Sequence, residues 1–179
     1  MDWNKAKSIL IAALLATDLI IGGIYLGRVK RENEQLAGYA VSTAEYLQQQ
    51  GIDVDCEIPT GQEKLPALEL EFSQGLVEAG FERTEYKGTA LEFSGSRTEY
   101  IKEIKADKNR IELQPAAAAL LRELPDLRGA GESSIKEIEL IYFIDRSDYA
   151  GAAGEDTALP YWKIIGGSGK AYYCPAFTE

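Results

Sequence analysis

The chain has 179 residues, 45% of them hydrophobic and 27% charged, the composition of a folded protein rather than a disordered one. Its net charge of −10 is uneven: residues 1–28 carry +1 and residues 29–179 carry −11, so the larger part repels nucleic acid and anionic lipid or wall polymers. There is no histidine, which excludes Ser-His-Asp and Cys-His nucleophiles, HExxH zinc sites and histidine proton shuttles, and two cysteines cannot make a four-thiolate metal site.

Ser8–Leu26 is an apolar run of 19 residues, ten of them Leu or Ile. As a helix it is about 28 Å long, close to the thickness of bilayer hydrocarbon. Asp18 stands near its middle and costs about 2.5–3.5 kcal/mol on the insertion scale, against about 3–6 kcal/mol gained from the ten Leu and Ile. The apolar side wins, so a span over residues 8–27 is predicted, with its carboxylate in place. The run is long for a signal-peptide core and no A-x-A site follows it, which favours a retained anchor. Basic residues flank both ends: Lys5 and Lys7 before, Arg28, Lys30 and Arg31 after. A short tail (residues 1–7) and a large following domain fit a cytoplasmic N-terminus and an extracytoplasmic C-terminal domain.

At 100° per residue, Ala12, Ala16, Gly23 and Gly27 fall within about 60° of one another. Gly23 and Gly27 form a G-x-x-x-G, so this small face lets another helix approach closely in lipid. Asp18 falls on the other side with Leu14, Ile21 and Tyr25. Intramembrane carboxylates face protein or water, so Asp18 marks a second, polar contact face.

Residues 28–51 read as a membrane-proximal helix. Leu36, Tyr39, Ala40, Thr43 and Leu47 make one modestly apolar stripe suited to packing on the following domain, and Gly51 stops the helix. Residues 52–179 then alternate in period two. Strands are expected at Ile52–Ile58, Leu68–Phe72, Thr89–Phe93, Arg97–Lys105, Arg110–Leu113 and Ser134–Asp145, with turns at "SGS" and "ADKN". Pro115 opens a short helix that Pro125 limits. "RGAGESS" and "YAGAAGEDTA" read as loops, and Tyr161–Ile165 and Lys170–Phe177 as a hairpin across "GGSG". Helix, meandering strands, helix and more strands give an α+β fold with mainly antiparallel pairing.

Motifs for chemistry are few. "GGSGKA" lacks the first glycine and the Ser or Thr of a phosphate loop, since Ile164 and Ala171 stand there. Alternating Glu in "ELELEF" and "EIEL" is the pattern of a solvated sheet face. No pattern calls for a metal or a cofactor. Cys56 and Cys174 fall on expected strands, so a disulfide is open if those strands are neighbours. Tyr161, Trp162, Tyr172 and Tyr173 form an aromatic group, for core packing across the hairpin or for a contact surface.

Two stretches, "MDWNKAKSILI" at the start and "LPYWKIIGGSGKAYYCPAF" near the end, resemble the YycI (WalI) family, and "YLQQQGIDVDCEIP" and "IKEIELIYFID" between them are similar to its pattern. The resemblance implies a single-pass membrane protein of Gram-positive bacteria that is not an enzyme. It implies partners too: a sensor histidine kinase of YycG/WalK type, which regulates the cell wall, and a YycH-like protein. It also implies an N-terminus inside. The outer region is shorter than in typical members, which bears on the YycH-like pairing. A reading from another class is an anchored extracytoplasmic module that binds a wall fragment or peptide, with the helix as a tether.

Overall fold

The computed structural model describes residues 3–61, 64–74, 84–93, 99–144 and 155–177, with the backbone alone described at residues 3–6, 8–13, 16, 73, 74, 84, 99 and 100. The chain divides into two units, Met1–Gly38 and Tyr39–Glu179. Helix α1 runs Trp3–Gln49, so the two helices expected from sequence share one helical backbone. Its end follows from Gly51, which takes φ +85°. That left-handed turn lets Ile52 N–H donate to the Leu47 carbonyl at 3.0 Å and Gly51 N–H to the Gln48 carbonyl at 3.0 Å. Leu47 and Ile52 are both buried, the apolar contact that accompanies such a cap.

Among the described residues eight strands follow, interrupted by one helix. They are β1 (Asp53–Val54), β2 (Lys64–Gln74), β3 (Thr84–Tyr86), β4 (Thr89–Phe93), β5 (Glu99–Glu112), helix α2 (Ala116–Gly129), β6 (Ser134–Ile144), β7 (Glu155–Gly166) and β8 (Ala171–Pro175). The sheet order is β3-β4-β6-β7-β2-β5, with β1 beside β6 and β8 beside β7. Pairing is antiparallel except for β1 with β6 and β4 with β6, which are parallel. The α+β class and the mostly antiparallel sheet are as the alternation predicts.

Several expected elements are corrected. The separate strands at Arg97–Lys105 and Arg110–Leu113 are one strand, β5. Its pairing with β2 slips between Pro66 and Leu68, where Arg110 and Ala106 are the partners, so "ADKN" is a bulge and not a turn. Within it the Asp107 carboxylate accepts the Asn109 N–H at 3.0 Å. Pro125 does not end α2, which continues to Gly129. Strand structure at Ile52–Ile58 is confined to Asp53–Val54, and Cys56 lies beyond it. Of the expected loop "YAGAAGEDTA", Glu155–Ala158 belong to β7, and its first part lies outside the described residues, as does "SGS".

Alternation puts two cores on opposite faces of the sheet. On one face Ile135, Ile138, Trp162, Ile164, Tyr172 and Cys174 pack with Leu120 and Leu127 of α2 and with Leu47. Ala116, Ala117 and Ala119 are buried too, and their small side chains let α2 lie close. Further along the sheet, Leu68, Leu70, Leu91, Tyr142 and Ile144 make a second cluster. The other face holds Ala90, Ile141 and Phe143, flanked by Tyr161 and Tyr173. Each fully buried Leu or Ile here contributes about 1.5–3 kcal/mol relative to exposure.

Candidate functional site

Between Leu14 and Leu26, eight large apolar side chains of α1 are 57–78% exposed. At 100° per residue they point in nearly every direction. A helix that is apolar all round belongs inside a protein or a membrane. Asp18, Gly23 and Gly27 are exposed among them. A Cβ added at Gly23 or Gly27 meets nothing within 4 Å, so the chain's own packing does not require glycine at either position. The side chains of Ala12 and Ala16 lie outside the described residues. Among the described residues, no helix is long and apolar enough to cross a membrane; residues 8–13 and 16, which belong to the expected span, are not in that set.

The four aromatic residues of the hairpin fall into two pairs. Trp162 stands opposite Cys174 and Tyr172 opposite Ile164, so Trp162 and Tyr172 share the face that packs on α2. The Trp162 indole N–H donates to the Gln114 carbonyl at 2.9 Å. Tyr161 and Tyr173 are half-buried on the reverse face. There the Phe143 ring stacks on Tyr173 at 4.1 Å and meets Tyr161 edge-on at 5.3 Å. Beside them Glu92 binds Lys163 at 2.5 Å and accepts the Tyr173 hydroxyl at 3.1 Å. Burial pushes the Tyr173 phenol up to about 12, which keeps it a donor to Glu92. Glu92 and Lys163 are 71 positions apart, and neither spacing nor composition links them.

A second polar cluster was not legible in the sequence at all. Gly131 takes φ +74° at the end of α2, and Glu132 N–H donates to the Leu127 carbonyl at 3.0 Å. The residue after such a cap is commonly apolar. Here it is a buried glutamate that reaches the β7–β8 turn. Its carboxylate accepts the Ser168 N–H at 3.0 Å, the Ser168 hydroxyl, and the Tyr172 hydroxyl at 3.1 Å. A Cβ on Gly166 would run into that carboxyl, which explains the glycine. The Ser168 hydrogen bonds hold the Glu132 carboxyl below the usual carboxylate range. "GGSG" is thus a turn that binds an anion, and the anion is the chain's own.

Cys56 and Cys174 are free thiols, the second buried and its ionisation pushed up to about 11 mainly by burial. Glu69, Glu71, Glu103 and Glu155 line an open acidic hollow of about 420 Å³ with Lys105, and Lys102 pairs with Glu71 at its edge. Among the described residues no group of three or more His, Cys, Asp or Glu is set to hold a metal.

No family model, curated protein or solved structure matches the chain. What it can do follows from the chemistry of these surfaces. In the sheet domain the Glu92 and Glu132 carboxylates are met by the chain's own Lys163, Tyr173, Ser168 and Tyr172. Among the described residues, the N-terminal helix presents exposed apolar side chains, Gly23, Gly27 and the Asp18 carboxylate.

Proposed function

We propose that the chain is a membrane-anchored, non-enzymatic regulator of a sensor histidine kinase of YycG/WalK type, acting on wall homeostasis through helix contacts in the bilayer and protein contacts outside it. The observation that carries this reading is the apolar surface from Leu14 to Leu26, exposed on every side and interrupted by Asp18. Lipid covers Leu and Ile without cost, whereas Asp18 and the glycine face are met best by another helix. The absence of histidine and the solvated character of Glu69 favour regulation over hydrolysis. The resemblance of both chain ends to the YycI family supplies the partner class, with a YycH-like protein as second partner. The N-terminus is cytoplasmic and the sheet domain extracytoplasmic.

Contacts worth about 1–2 kcal/mol in lipid shift a two-state kinase roughly tenfold. Asp18→Leu therefore leaves the protein in the membrane fraction and changes kinase autophosphorylation and co-purification by about that factor. Wild-type output together with wild-type co-purification would overturn the reading. Replacing residues 8–27 with an unrelated anchor separates it from an anchored ligand-binding module: a tether is replaceable, a contacting span is not.

A further inference from the structure

We propose that the Asp18 face of α1 pairs, within the bilayer, with a membrane-spanning helix of another protein that carries one basic side chain, Lys or Arg, at mid-depth. Asp18 stands near the centre of residues 8–27, with Leu14, Ile21 and Tyr25 on the same side and all four exposed. Counted from Leu14 their spacing is i, i+4, i+7 and i+11, the seam along which two spans pack at a shallow left-handed crossing. Gly22 follows Asp18 by four residues, one turn on and about 40° round the helix. A helical side chain covers the surface over the turn before its own Cα. With no side chain, and nothing within 4 Å of a Cβ built there, Gly22 leaves bare the surface beside the Asp18 carboxylate. The long aliphatic stem of a partner's Lys or Arg fits that notch and brings its charged end to the carboxylate.

Charge decides the occupant. The basic residues nearest along the helix, Lys7 and Arg28, lie eleven and ten residues from Asp18, about 16 and 15 Å at the helical rise. Neither side chain spans that distance, and Arg28 already pairs with Glu32 at 2.8 Å. The helix therefore supplies no countercharge of its own at mid-span. Acyl chains offer a carboxylate nothing. A second copy joined through this face would set Asp18 against the same residue, like charge on like. A neutral amide or hydroxyl relieves the carboxylate alone. A Lys or Arg in the facing span carries a desolvation cost of its own, and one contact offsets both. This inference rests on the reading of residues 8–27 as a membrane span whose carboxylate face touches another span.

The test reconstitutes the full chain, labelled in its N-terminal tail, into phosphatidylcholine vesicles. The probes are acceptor-labelled synthetic spans of leucine and alanine with Lys, Gln, Asp or Leu at the centre, and association is read by energy transfer. The Lys span is expected to bind about tenfold more tightly than the Leu span, the size of a good polar contact in lipid, and more tightly than the Gln span. Asp18→Asn is expected to abolish the advantage of Lys over Gln, and Asp18→Lys to transfer the preference to the Asp span. Gly22→Leu fills the notch in open space, and is expected to weaken the Lys span about fivefold while leaving the Leu span unchanged. Equal binding of the Lys and Gln spans, no inversion with Asp18→Lys, or indifference to Gly22→Leu each overturns the proposal. So does transfer between two copies of the chain that Asp18→Asn abolishes. If the Lys preference is missing but Asp18→Leu still alters kinase output in cells, the cation is wrong and the contact reading stands. If both are missing, both fall.

Discussion

Leu19 and Leu47 belong to the same helix and are opposites in exposure, 78% and 0%. Around Leu19 the neighbours Leu15, Asp18, Ile20 and Gly23 are all exposed. Around Leu47, Ala40, Thr43 and Leu47 are buried along one stripe, while Val41, Glu45, Gln48 and Gln49 stand exposed outside it. The second pattern is that of a helix in water with a core behind it; the first has no stable place in water at all. One continuous helical backbone therefore carries an exposed apolar surface in one part and a one-sided buried stripe in the other. The change comes in the charged stretch Arg28–Glu34, where Arg28 pairs with Glu32 at 2.8 Å and Lys30 with Glu34 at 3.8 Å.

The sharpest way to break this contrast is to truncate one leucine from each region. Leu120 is fully buried between α2 and the sheet, so Leu120→Ala lowers unfolding stability by about 2–5 kcal/mol through lost burial and a residual cavity. Leu19→Ala changes the same denaturant midpoint by less than about 0.5 kcal/mol, because no protein neighbour loses a contact. Equal losses from the two substitutions, measured by chemical denaturation of the full chain in detergent, would mean that the N-terminal helix has a protein cover.

Glycines sharpen the contrast at smaller scale. Gly166→Ala pushes a methyl into the Glu132 carboxyl, which three donors hold in place, and costs about 1–3 kcal/mol. Gly23→Ala adds its methyl in open space and gains about 1 kcal/mol of helix propensity. Thermal unfolding of the domain therefore drops for the first and stays level for the second. A drop for Gly23→Ala would place an intramolecular neighbour against that face.

How much of this was legible in the sequence follows the range of the interactions. Apolar periodicity is local, and it located the apolar run, the stripe ending at Leu47, β4, β6 and the hairpin across "GGSG". At "ADKN" the turn residues mark an irregularity and not a chain reversal. Asp107 does bend the backbone locally, yet the ladder with β2 resumes beyond it, because Ile111 and Leu65 still pair. Pro125 lacks its N–H, but Leu127 is fully buried two residues later, and that packing carries the helix past the proline. The alternation in "YWKII" and "AYYC" shows that neighbouring aromatics take opposite faces, but not which partners wait there. Glu92 with Lys163, and Glu132 with Ser168, join positions 71 and 36 apart.

The smallest effect concerns two glutamates at the α2 end of the domain, which titrate in opposite senses. Glu132 has its folded ionisation lowered from 4.5, first by the Ser168 hydroxyl and N–H. Its contribution is present above the unfolded value and is lost as pH falls through the folded one. Glu123 has its ionisation raised from 4.5 by burial. Its protonated form suits the fold, so it adds stability as pH falls and takes it away as pH rises through the folded value. Glu132→Gln should therefore flatten the loss of stability between pH 5 and 3, and Glu123→Gln should steepen it while raising stability at pH 7. The measurement is the unfolding midpoint against pH for each variant. Parallel curves would show that neither carboxyl differs from its unfolded state, and the anion-binding turn would then be a contact without energetic consequence.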